Sequence, residues 1–228
     1  MAKIINAKGR RLNQSPSGYT RLFGDAELGN LLSRIQGTVI SSGTELEHLI
    51  WERSNQITDL VGFITHLKTH DNTKVWVANK NQIRDSKYIN SNYEPDFLFF
   101  DLRDNICYVV EVKDGDQFDT KKSHSEHTAL HGFTDTVRYS LPLDFQIRIC
   151  CFNANTKEEI YTGLKRKFSM SEILTGRELC DLLGIEFDDI INTRKVDQAI
   201  NLDYFVKSLL NIRSIRSIAT LELSKKDN

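Results

Sequence analysis

Proline is scarce in this chain, at three residues in 228, and nothing in it repeats or runs to a Gly/Ser linker. With hydrophobic residues at 39% and charged residues at 27%, the composition is that of a folded, soluble protein and excludes long disorder. A bilayer-length apolar run is also missing; the most apolar windows, 97–100 and 106–112, are far too short. The opening MAKIINAKGRRLN has no apolar stretch ahead of its charges, so no secretory signal is expected and the chain reads as cytoplasmic, bacterial or archaeal. Cysteine is sparse too: Cys107, Cys150, Cys151 and Cys180 form no C-x-x-C pair. That spacing excludes a structural zinc site and fits reduced thiols acting as small core residues.

A surplus of positive charge is the last absence. The net charge of -1 announces no polyanion partner, but net charge averages over faces whereas phosphate binding uses local clusters. Residues 1–24 carry Lys3, Lys8, Arg10, Arg11 and Arg21 with no acid among them. Lys165, Arg166 and Lys167 form a second knot, and Arg213 with Arg216 a third. A solvated face looks the same, so charge alone decides nothing.

What is present is a succession of elements. Residues 1–24, with Pro16, Gly18 and Gly24, read as an arm, followed by a segment around 28–40. Thr44 with Glu47 three positions on is a capping box that predicts a helix start. Leu46, Leu49, Ile50, Ile57, Leu60, Val61, Ile64 and Leu67 continue an apolar stripe, as one long helix or two. Residues 74–79 alternate as a strand, and 79–94 read as a polar loop. The runs 95–101 and 106–113, rich in aromatic and β-branched residues and joined by LRDN, predict a hairpin. Ser123 with Glu126 is a second capping box, opening a helix with Leu130, Phe133 and Val137 on one face that stops near Pro142. Residues 145–152 then form a strand, which a crossover helix should place parallel to 106–113. The remainder reads as helical, with caps at Ser169/Glu172 and Thr175/Glu178, a stop at Gly184, and an amphipathic segment at about 202–218.

The hairpin singles out three residues. A turn centred on Arg103 and Asp104 makes Asp96 the partner of Glu111, and directly opposed side chains share a face. Lys113, two residues beyond Glu111, lies on that face by the strand period. Two facing carboxylates repel, so cations must compensate: Lys113 supplies one charge and a bound divalent ion the rest. Mg2+ suits such a site, being held by one or two carboxylates together with waters and substrate phosphate oxygens. It would activate water and polarise a phosphate, with Lys113 orienting or helping to deprotonate that water and offsetting transition-state charge. The bland alternative is a solvated Glu–Lys pair beside a turn-capping Asp96; the preceding Pro95 and the apolar flanks count against it.

Pro95-Asp96 followed by Glu111-Val112-Lys113 resembles the PD-(D/E)XK nuclease superfamily, and within it most of all the type II restriction endonucleases. The likeness covers about residues 44–152. It implies a mixed α/β restriction-endonuclease-like core, with a central mixed β-sheet flanked by helices in the order αβββαβ and extra helices at the C-terminus. Residues 1–43 would then be a basic arm and lead-in helix, and 44–228 one nuclease domain with a helical elaboration over 153–228. The resemblance implies that Asp96 and Glu111 bind metal, that the Val112 carbonyl is a further ligand, and that Lys113 is catalytic. Members often place a glutamate on the helix before the sheet, and Glu47 is the first candidate, Glu45 the second; for Glu47 the capping role stands equally. The activity implied is Mg2+-dependent cleavage of double-stranded DNA to 5′-phosphate ends by a homodimer, with a cognate DNA methyltransferase protecting the host.

Other candidates follow from residue type. In the loop after the second hairpin strand, Lys121 and Lys122 could grip phosphates, and Asp116 or Asp119 could touch a metal through water. His124, His127 and His131 share one side of their helix, where a transition metal, partial burial or DNA contacts are all open readings. Asn79, Lys80, Asn81, Gln82 and Arg84 are types that read base edges, and the arm with Arg10 and Arg11 could follow a groove. Two alternatives stand beside restriction: a repair, recombination or methylation-dependent nuclease on the same core, and a DNA-binding module that cuts nothing.

Overall fold

The two apolar runs do form a hairpin, and a sheet is built outward from it. The computed structural model describes residues 2–9, 15–89, 91–115 and 120–225. Among these, six strands are hydrogen-bonded in sequence order: β1 (Asn55–Gln56), β2 (Val75–Asn79), β3 (Phe97–Asp101), β4 (Ile106–Lys113), β5 (Asp144–Cys151) and β6 (Ile173–Thr175). β3 runs antiparallel to both β2 and β4, whereas β1 joins β2, and β5 joins β4 and β6, in parallel. The mixed sheet and its flanking helices are the α/β architecture expected, and the β4–β5 pair is parallel as the intervening helix requires.

The hairpin register is the one deduced from the turn. Phe97 pairs with Val110 and Asp101 with Ile106, so Asp96 falls one residue before β3 on the line leading to Glu111. Asp101 is buried and folds the turn: its carboxylate accepts the backbone N–H groups of Arg103 at 3.2 Å and Asp104 at 3.4 Å. Asn105 completes the reversal at a φ of 56°, a left-handed conformation that Asn tolerates well. Every residue of β3 is buried, which explains a continuous apolar run in place of alternation.

Two compact units divide the chain: residues 1–45 with 191–228, and residues 46–190. The sheet belongs to the second, with α3 (Leu60–Thr65), α4 (Lys80–Arg84), α5 (Thr120–Val137), α6 (Lys157–Gly163) and α7 (Gly176–Leu183). Leu130, Phe133 and Val137 of α5 join Val109, Ile147 and Ile149 of the strands in one core. In the first unit, Arg34 fastens the N-terminal segment by donating to the carbonyls of Ile4, Ile5 and Ala7, and Lys3 pairs with Asp197 at 3.2 Å. The described part of the expected arm is thus tied down, and it contains α1 (Gly18–Phe23). Arg10 and Arg11 lie outside the described residues, as do Asp116 and Asp119.

Several local expectations are corrected. Thr44 starts no helix, because α2 runs unbroken from Ala26 to Arg53. A cap contributes about 1 kcal/mol, less than burying a continuous stripe such as Leu46, Leu49 and Ile50. Of the two readings of the stripe, one helix or two, the second holds: α2 carries Leu46, Leu49 and Ile50, α3 carries Leu60, Val61 and Ile64, and β1 intervenes. α5 begins at Thr120, so Ser123 is an interior, buried residue and not a cap. The stretch expected as loop from 79 opens with α4, whose capping box joins Asn79 and Gln82. Ser169 and Glu172 close a turn that leads into β6, not into a helix. Thr175 and Glu178 do form the expected capping box, and Gly184 ends α7 in the left-handed conformation. The C-terminal amphipathic segment is split between α8 (Phe187–Asn211) and α9 (Arg213–Ser224). All four cysteines are buried and none is in a disulfide, as their spacing suggested. Among the described residues no helix is long and apolar enough to cross a membrane.

Candidate active site

At the open end of the β3–β4 hairpin, sequence-distant acids are brought together. Asp96 and Glu111 are both buried, each 6% exposed, and a carboxylate buried beside apolar strands requires a donor. Asp96 Oδ2 accepts the Val112 backbone N–H at 2.9 Å, and Lys80 Nζ stands 3.8 Å from Oδ1. Glu111 is gripped from two sides: Lys113 Nζ donates to Oε1, and the Tyr93 hydroxyl donates to Oε2 at 2.8 Å. The same ammonium reaches Glu126 Oε1 on α5 at 3.0 Å, and Tyr93 lies 3.3 Å from Glu126 Oε2.

The electrostatics follow from this crowding. Burial, then the Glu111 and Glu47 carboxylates, push Asp96 up to about 7. Burial likewise raises Glu47 on α2, which Lys80 and Lys113 oppose and Glu111 reinforces, so Glu47 is within electrostatic reach of this cluster. Glu45 instead pairs with the buried Arg194 at 3.6 Å. Burial works against the Lys113 ammonium, but Glu111 and Glu126 outweigh it and hold the group well above the ordinary lysine range. Burial and the surrounding carboxylates keep the Tyr93 phenol protonated. Among the described residues of the cluster, carboxylates outnumber ammonium groups four to two: Glu47, Asp96, Glu111 and Glu126 against Lys80 and Lys113. A set of hard oxygen donors with an excess of negative charge fits a small divalent cation such as Mg2+.

Three members of this cluster escape the sequence reading. By residue type Lys80 falls among the base-reading candidates, and Glu126 belongs to a cap that does not form. Tyr93 carries no signal beyond its place three residues before Asp96. Of the remaining candidates, Lys121 and Lys122 line a pocket with Ser125 and Glu126, so that pocket shares Glu126 with the cluster. Asn81 is exposed on α4, while the Arg84 guanidinium is held in a fork by Glu94, at 2.9 and 2.8 Å.

The histidines divide. His127 and His131 turn their Nε2 atoms toward each other at 3.1 Å, and Glu172 Oε1 lies 3.5 Å from His131 Nε2. His127 packs edge-on against Phe168, and burial, then His131, hold it below the ordinary histidine value. His124 is not in that group of three.

No family model matches the chain, and no solved structure matches it. It is similar to the type II restriction enzyme HhaII of Haemophilus parahaemolyticus, with 42% identity over 222 residues. The alignment spans 95% of this chain and 97% of the relative, so the hairpin and the crossover helix fall within it. With that identity across nearly the whole of both proteins, the chain belongs to the family of this type II restriction enzyme.

Proposed function

We propose that this restriction endonuclease hydrolyses phosphodiester bonds of double-stranded DNA at specific sites with Mg2+, leaving 5′-phosphate ends. The observation that carries the reading is the cluster of buried Asp96 and Glu111 with partly buried Lys113 in a chain of this family. Asp96, Glu111, the Val112 carbonyl and Glu47 would hold the ion. When bound, Mg2+ supplies a lowered pKa for water and polarisation of the scissile phosphate.

The chain's own groups do the positioning. Asp96 is oriented by the Val112 N–H, and Glu111 by Lys113 and Tyr93. With its proton held by Glu111 and Glu126, Lys113 acts as a fixed cation that orients the attacking water and offsets charge growing on the phosphate. That assignment is favoured over a proton-accepting lysine. Lys121 and Lys122, beside Glu126, would grip the phosphates of the cut strand. Asn81, exposed on α4, and Arg84, once released from Glu94, are the DNA contacts offered ahead of the hairpin, with Arg10 and Arg11 outside the described residues. Cutting both strands of a two-fold symmetric site calls for a homodimer, and host protection calls for a methyltransferase of the same specificity.

Digestion of unmethylated phage DNA, with Mg2+ and with EDTA, tests this. Discrete Mg2+-dependent bands are expected, and Glu111→Gln should lower the rate by about a thousandfold or more while DNA binding persists. A Mg2+-dependent smear would replace site-specific cutting with a repair or processing role. Intact DNA bound by folded protein would replace cutting altogether.

A further inference from the structure

A second set of ligand-bearing side chains shares no residue with the acidic cluster and takes no part in the mechanism above. His127 and His131 are one helical turn apart on α5, and Glu172 approaches them from the turn that leads into β6. Their ligand atoms all lie within 4.8 Å of one another. We propose that His127 Nε2, His131 Nε2 and a Glu172 carboxylate oxygen form a binding site for a borderline divalent transition cation of the Zn2+ type, distinct from the Mg2+ centre.

Geometry carries the argument. Two imidazole nitrogens each about 2.0–2.1 Å from one tetrahedral ion stand about 3.3–3.4 Å apart. The observed Nε2–Nε2 separation is 3.1 Å, and the Glu172 Oε1 to His131 Nε2 separation is 3.5 Å. Two of the three separations thus stand near coordination spacing and the third is within 4.8 Å, so side-chain rotation is enough to bring all three atoms to one ion. The i, i+4 spacing supplies this on any helix only when both rings choose facing rotamers, and here Phe168 braces His127 in that rotamer. Glu172 is braced too, since its other oxygen, Oε2, accepts the Ser169 backbone N–H at 2.7 Å and leaves Oε1 directed at His131. A shared proton between the rings would explain one contact, the 3.1 Å approach, but not a carboxylate fixed by its own turn and aimed at the same point. Two nitrogens and one oxygen are a borderline donor set, which prefers Zn2+, Co2+ or Ni2+ to Mg2+.

The ion would clip α5 to the start of β6. One residue before His127 on the same helix is Glu126, the partner of Lys113 and Tyr93. Holding this turn of α5 thus helps to hold Glu126 where it meets the acidic cluster.

The test is a Zn2+ titration of metal-stripped protein in excess Mg2+, which occupies oxygen-only sites and competes poorly for imidazole. Chelator competition reads the affinity, and Co2+ absorption reads nitrogen coordination. The expected result is one Zn2+ per chain, a melting temperature raised by Zn2+, and affinity at least about tenfold weaker in both His131→Ala and Glu172→Gln. His131 is exposed, so its truncation does not threaten the fold, and Gln at 172 can still accept the Ser169 N–H. Absence of Zn2+ binding by the folded wild-type protein overturns the proposal, and so does equal affinity in all three proteins.

Discussion

Glu111 is held by one ammonium and one phenol, and the division of labour between them can be measured. Lys113 neutralises charge, whereas Tyr93 adds no charge and only directs Oε2 through a 2.8 Å hydrogen bond. A positioning residue of this kind acts on turnover through the geometry of the carboxylate it holds. Tyr93→Phe keeps the ring's packing and removes the hydroxyl alone. Its kcat is expected to fall about tenfold with KM little changed, since outer contacts to such centres cost about 10–100-fold. Single-turnover cleavage and a melting curve separate this from instability, because losing one hydrogen bond costs only about 1 kcal/mol. Wild-type turnover in the variant would remove Tyr93 from the site's working parts. The role of this side chain is invisible in sequence: a tyrosine in a polar loop shows nothing until the chain folds back over Glu111.

At the scale of elements, packing is close where β6 passes into α7. Gly176 opens α7 directly after β6, and a Cβ there would sit 2.3 Å from the Phe152 carbonyl oxygen and 2.8 Å from the Phe187 ring. Backbone cannot yield as a flexible side chain does, so Gly176→Ala is expected to destabilise by about 1–3 kcal/mol. Gly132 is the contrasting case, inside α5, where an added methyl would meet nothing within 4 Å. There alanine reduces the freedom of the unfolded chain, and Gly132→Ala should stabilise by about 0.4–1 kcal/mol. Chemical denaturation of the two variants side by side checks both signs. A neutral Gly176→Ala would mean that the β6–α7 junction shifts freely.

Elements are legible to different depths for a physical reason. β3 and β4 stand out because strands buried on both faces are continuous apolar runs, and a four-residue turn pins their register. The Thr175 box and Gly184 are readable because nothing beyond the helix ends competes with them. The Thr44 and Ser123 boxes mislead because each lies inside a helix whose apolar face continues through it. α4 and β6, at five and three residues, are shorter than any period that a pattern can display.

For the whole molecule, the net charge of -1 and the proposed DNA partner are reconciled by distribution: acids gather inside the candidate site, while Lys121 and Lys122 line the pocket beside it. Large apolar side chains remain exposed on α8 and α9, among them Val196, Leu202, Leu221 and Leu223. Such surfaces favour association, and in the proposed homodimer a second copy would supply the second active site that double-strand cutting needs. Sedimentation is expected to give a particle of twice the 26.2 kDa chain mass, with or without DNA. A monomer under both conditions would mean that the two strands are cut in separate encounters.

Strand period and turn length are local rules, and they were enough to set the hairpin, its register and hence the meeting of Asp96 with Glu111 and Lys113. Chain connectivity likewise dictated the parallel crossover to β5. Folding was needed to bring Glu47 within electrostatic reach of the cluster while Glu45 pairs with Arg194, to add Lys80, Tyr93 and Glu126 to it, and to bring Glu172 to two histidines some forty positions earlier. Each of those depends on which way a helix face turns when its apolar stripe is buried, and that choice is made by the core as a whole.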